Sequence, residues 1–180
     1  MSFRWFASSC VPAGNPRKQA VLGLTLLVAA GCGGSGATGG SVVKGPGFTF
    51  VAPAHWTVSR KGSQVQAAQG ARLISVTLFP LQRRFRPELW VKVVPELDRA
   101  AAAIARQQEG TVSGSRTVTT AGQRARSYEV AYTSEGKQLV ERIVFVLRAK
   151  QEYLLLCRYE RGGATDACDG LLTSFRLAAA

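Results

Sequence analysis

From residue 111 the spacing of apolar and polar side chains reads as a series of extended runs. Three extended runs, 124–133, 138–148 and 152–159, are separated by Ser134-Glu135-Gly136 and Ala149-Lys150-Gln151. Connections this short force neighbouring strands to run antiparallel, so a meander is expected. The middle run sets Leu139, Ile143, Phe145 and Leu147 on one face and Val140, Val144 and Val146 on the other, interrupted by Glu141 and Arg142. Apolar on both sides, it predicts a central strand. Upstream, 72–79 (RLISVTLF) opposes a fully apolar face, Ile74, Val76 and Leu78, to a mixed one of Leu73, Ser75, Thr77 and Phe79. Nearer the start, 47–51 alternates aromatic and small residues until Pro53 stops it, and Trp56-Thr57-Val58 resumes an extended run. This reads as a bent edge strand or hairpin arm.

Two segments follow the helical period instead. Leu97, Ala101 and Ile104 recur at i, i+4 and i+7, with Arg99 and Arg106 off that stripe. Pro95 is expected in the first turn, where its missing donor costs nothing, with Glu96 and Asp98 at the positive end of the dipole and Gly110 closing the helix. Residues 88–94 (ELWVKVV) read equally as a separate helical turn or as a strand. The closing segment, 164–175, carries Ala167 or Cys168, Leu171, Leu172 and Phe175 at helical spacing. This order predicts an α+β fold, a twisted antiparallel β-sheet with helices packed on its faces.

The start of the chain follows neither pattern. Arg17 and Lys18 precede a short apolar run, 20–30, which ends in Val28-Ala29-Ala30-Gly31-Cys32. A positive region, a short apolar core and small residues form an export signal, and the run falls well below the roughly 20 residues of a spanning helix. The ending resembles the lipobox of bacterial lipoproteins, in which the cysteine thiol receives a diacylglycerol and becomes the new N-terminus. Ala29 stands where Leu or Val is commoner. Ordinary secretory cleavage with a free Cys32 is the alternative. The expected organisation is a signal at 1–32, a flexible Gly/Ser tether at 33–44 and one domain at 45–180, large enough to bury a core of its own.

Charge and cysteines narrow the partners. The 180 residues hold 23 Lys+Arg against 11 Asp+Glu, a net +12. Arg4, Arg17 and Lys18 precede Cys32 and no acid does, leaving twenty against eleven, or +9, on the exported part. Such a surface is drawn to phospholipid headgroups, acidic polymers or acidic proteins, and export argues against nucleic acid. A diffuse, solvated surface charge is the competing reading. Cys157 and Cys168 remain in the exported domain, where oxidising surroundings favour a disulfide over a metal or catalytic site, with two buried free thiols as the alternative. No metal or cofactor is expected. His55 is the only His, and no CxxC or HxxxH spacing supplies further ligands.

Catalytic sets are largely excluded. No Asn follows Cys32, so a Cys-His-Asn set is impossible, and a Ser-His-Asp triad would need His55, which precedes Trp56 at a strand entrance and suits a loop or structural place better. Asp166 and Asp169, at i and i+3, fit a helix dipole better than a pair of carboxylates flanking a sugar bond. The strongest binding candidate is 82–87 (QRRFRP), where Arg83, Arg84 and Arg86 surround Phe85: guanidinium forks suit phosphate and carboxylate, and the ring suits a lipid interface or a sugar. A solvated loop with Phe85 folded into the core is the plainer reading.

Gly47-Phe48-Thr49-Phe50 followed by Pro53 and Trp56, a meander with Tyr153 in an aliphatic strand, and Ser174-Phe175 in a final helix together resemble the PsbP-like superfamily, which includes small bacterial lipoproteins of the LpqN and LpqT type. The likeness spans most of 45–177. It implies an α/β/α sandwich that serves as a binding or assembly module rather than an enzyme. Unlike the photosynthetic members, this chain has no evident calcium or manganese cluster, and it carries a lipobox-type signal. The resulting expectation is a non-enzymatic, lipid-anchored protein on the extracytoplasmic face of a cell membrane, binding a partner protein, an envelope polymer or a small ligand. The alternative is an envelope hydrolase or transferase with an unrecognised site.

Overall fold

The computed structural model describes residues 39–178. The signal, Cys32 and the first part of the expected tether lie outside them. Strands β1 (Ser41–Gly45) and β2 (Phe48–Ala52) form a hairpin, and the two-residue β10 (Arg176–Leu177) pairs with the other side of β2. A larger sheet runs in the order β3 (Thr57–Lys61), β4 (Gln64–Gln69), β5 (Arg72–Pro80), β9 (Gln151–Glu160), β8 (Lys137–Arg148), β7 (Gln123–Ser134), β6 (Thr111–Thr120), with every neighbouring pair antiparallel. Helix α1 (Trp90–Gln107) connects β5 to β6, and α2 (Asp166–Ser174) follows β9. The result is the expected α+β architecture of antiparallel sheet and packed helices.

Strand alternation divides the large sheet between two cores. On one face Ile74, Val76, Val144, Val146 and Leu155 pack on Phe48 and Phe50 of β2 and on Leu171 and Phe175 at α2. There the Tyr153 ring meets Phe48 and Phe175 edge-on at 6.1 and 5.9 Å. On the other face Tyr128, Val130, Ile143 and Phe145 lie under Leu97, Ala101 and Ala105 of α1. Each fully buried Leu, Ile or Phe contributes about 1.5–3 kcal/mol, so these faces hold the helices to the sheet.

Several expectations change. Helix α1 begins at Trp90, after a single 3-10 turn at Pro87–Leu89, so 88–94 is helical and Pro95 lies inside the helix rather than in its first turn. Trp90 shares the buried side with Leu97, Ala101 and Ala105, which draws the helix start upstream. The carbonyl that loses its donor to Pro95 belongs to Val91, which is 80% exposed, so water can replace the missing bond. At the other end Glu109, not Gly110, takes the left-handed conformation at φ 52°. Gly110 is required by packing, since a Cβ there would stand 2.6 Å from the Ala131 carbonyl oxygen. Strand β1 takes up Ser41 to Lys44, which the sequence assigned to the tether. β2 is a hairpin arm but lies at the centre of its sheet, between β1 and β10.

Candidate functional site

The loop after β5 comes to the end of the large sheet where β8 turns into β9. Leu81 N–H donates to the Lys150 carbonyl at 2.8 Å and Phe85 N–H to that of Ala149 at 2.7 Å, so the backbone around the arginines is fixed at two points. Arg83, Arg84 and Arg86 are all exposed and Phe85 is half-buried against the protein. None of the three guanidinium groups makes a hydrogen bond or ion pair among the described residues. The structure therefore leaves the three predicted cations exposed on one held loop, outside any ion pair among the described residues. Beyond them, Leu89 N–H donates to the Arg86 carbonyl at 2.9 Å, and Trp90 is buried beneath the Arg124 guanidinium, 5.1 Å from its ring.

Cys157 of β9 and Cys168 of α2 form a disulfide with a Cα–Cα distance of 5.4 Å. The same helix turn is held by charge: Asp169 accepts from Arg142 at 2.9 Å, and Arg142 also faces Glu129 at 3.4 Å. Asp166 and Asp169 occupy the first turn of α2, as the dipole reading expects, but Asp169 in addition ties the helix to β8. His55 is exposed in a turn at φ 65° and makes no side-chain hydrogen bond or ion pair among the described residues.

A second polar cluster lies at the opposite end of the sheet. Glu141, fully buried on β8, accepts from Arg158 Nε at 2.9 Å, Tyr132 OH at 2.9 Å and Gln108 Nε2 at 2.7 Å. Burial, and next the Glu141 charge, push the Tyr132 phenol up to about 12, so it stays a donor across the physiological range. An open cavity of about 340 Å³ adjoins the cluster, lined among others by Gln108, Tyr132, Leu139 and Arg158. Each oxygen of Glu141 is engaged, and the carboxylate ties β7, β8, β9 and the end of α1 together. Among the described residues no group of three His, Cys, Asp or Glu could hold a metal ion.

No family model matches the chain, and no curated protein matches it by sequence. Similarity emerges in solved structures. The solution structure of cyanobacterial PsbP, CyanoP, from Synechocystis superposes with a TM-score of 0.55 at 13% identity, over 82% of this chain and 98% of that one. The fold is PsbP-like. A Bacteroides thetaiotaomicron structure gives a TM-score of 0.57 at 11% identity, over 78% of this chain; the PsbP-like chain spans about half of that protein, 49%. LpqN of Mycobacterium tuberculosis, a protein involved in cell envelope biogenesis, gives 0.49 at 15% identity over 78% of this chain and 86% of that one.

Within this PsbP-like frame the resemblance residues have structural places. Phe48, Phe50, Tyr153 and Phe175 form the aromatic centre of one core, and Ser174 Oγ accepts from the Val51 backbone N–H at 3.0 Å, which seats the last helix turn on β2. The Glu141 cluster has no counterpart in the sequence reading. Its one visible signal is an acid and a base, Glu141-Arg142, placed side by side in an otherwise apolar strand.

Proposed function

We propose that this chain is a lipid-anchored, extracytoplasmic binding module, not an enzyme, which holds an anionic partner of the cell envelope through Arg83, Arg84 and Arg86. The observation that carries this reading is the fixed loop whose three exposed arginines stand outside any ion pair among the described residues. Free guanidinium forks on a held backbone lose little freedom on meeting phosphate or carboxylate oxygens. The disulfide supports an oxidising compartment. The export signal and Cys32 support the anchor. Against catalysis stand the exposed, isolated His55 and the full engagement of Glu141. The test is binding of inorganic polyphosphate to the full chain in mild detergent. Binding should weaken as salt rises and disappear in the Arg83→Ser, Arg84→Ser, Arg86→Ser triple variant. Equal binding by the variant would reject the loop as the site.

A further inference from the structure

Large apolar side chains exposed among the described residues are Val42, Leu89, Val91 and Val112. Two of these four fall within three residues of each other, immediately after the arginine loop. Leu89 is 36% exposed and Val91 80%. The surrounding segment, 81–92, carries four cations, Arg83, Arg84, Arg86 and Lys92, against one acid, Glu88. Lys150, whose carbonyl holds the loop, and Arg124, stacked on Trp90, add exposed positive charge at the same end.

We infer that the partner of this loop is the anionic surface of the bilayer itself, with Leu89 and Val91 entering the headgroup region while Arg83, Arg84 and Arg86 engage lipid phosphates. The inference rests on the loop's being the anion site proposed above and names its partner. Cations beside a few apolar side chains are the composition of a peripheral lipid contact, where apolar burial and attraction to acidic headgroups act together. A protein partner fits less well. A stable protein interface buries roughly 800 Å² on each side around aromatic anchors, whereas this segment offers two aliphatic side chains, with Phe85 half-buried and Trp90 buried. The hydrogen bonds to Ala149 and Lys150 and the burial of Trp90 already hold the segment in place, so docking requires little ordering.

The experiment is hydrogen exchange on the full lipidated chain in vesicles of phosphatidylcholine alone or mixed with phosphatidylglycerol. Exchange in 81–92 should slow by about tenfold or more only in the anionic vesicles, given about fivefold in affinity for each cation near such a surface. Leu89→Ser with Val91→Ser should remove most of that slowing and leave polyphosphate binding unchanged, while the triple arginine variant should lose both. Circular dichroism and the intact Cys157–Cys168 peptide report that each variant is folded. Equal exchange in the two vesicles, with polyphosphate still bound, overturns the bilayer as partner and leaves the anion site standing. Slowed exchange in the serine pair overturns the apolar insertion. Absence of polyphosphate binding by the parent overturns this inference together with the reading it rests on.

Discussion

Glu152 stands on β9 with Phe79 and Leu147 opposite it on the neighbouring strands, and its carboxyl has no hydrogen bond or ion pair among the described residues. Burial alone lifts its pKa from 4.5 to about 7. The folded state then holds this proton more tightly than the unfolded chain does. Below about pH 4.5 both states carry it and nothing is lost; as pH rises through 7 the folded state must keep a carboxylate in apolar surroundings, at up to about 3 kcal/mol. Glu152→Gln should therefore raise stability at pH 8 and flatten its decline between pH 4.5 and 7. Urea denaturation across that range checks this, and parallel curves for parent and variant would refute it. Glu141 is the opposite case, a buried carboxylate with three donors. Glu141→Ala should cost about 3 kcal/mol, because Tyr132, Gln108 and Arg158 lose their acceptor, whereas Glu160→Ala, which breaks the exposed, solvent-screened pair with Lys137, should barely change stability. An equal loss in the two would contradict the structural role of Glu141. In sequence Glu141 reads only as a break in an apolar pattern, since its partners lie 9, 17 and 33 residues away and only the fold collects them.

At the scale of elements, α2 is tied down by three different kinds of bond. The disulfide, the Asp169–Arg142 bond and Ser174 on Val51 all fix nine residues to the sheets. Closing the short loop between Cys157 and Cys168 is worth about 3 kcal/mol in the chain-entropy model. Reduction, or the Cys157→Ala, Cys168→Ala pair, should lower the melting temperature by about 10 °C. Two thiols alkylated in the native, unreduced protein would dispose of the bond. Element boundaries were legible wherever the pattern had one dominant period. Strands β7, β8 and β9 fall within a residue of the runs read from alternation, because both faces of the meander are packed or bordered by short turns. β4 was not legible: in QVQAAQ only Val65 and Ala67 are buried, and the glutamines read as a polar connection. The start of α1 was hidden for a different reason. Trp90, Val93 and Val94 suit a strand as well as a helix, and Pro95 points to a later start; only the sheet beneath decides. The arginine loop was visible by composition, but Val91 belongs to an apolar run that gives no sign of facing outward.

For the whole molecule the anchor is the governing expectation. Cys32 should carry a diacylglycerol, and the mature chain should sediment with membranes, because two or more acyl chains at about 0.8 kcal/mol per buried methylene hold far more firmly than one. Intact-mass spectrometry of the mature protein checks this; a lipid-free chain would end the proposal, and Cys32→Ser should release the protein or block its processing. Strand β1 then determines how that anchor is felt. By drawing Ser41 to Lys44 into the sheet it leaves only Gly33 to Gly40 as leash, about 30 Å at full stretch. The leash joins β1 at the end away from the arginine loop: Ser41 pairs with Ala52, whereas Gly45 pairs with Phe48 beside Tyr153, at the end that carries the loop. With Cys32 anchored, a leash of that length exceeds the roughly 17 Å spanned by five-residue β1, so anchor and arginine loop can meet one membrane, and cutting the leash below that span would part them.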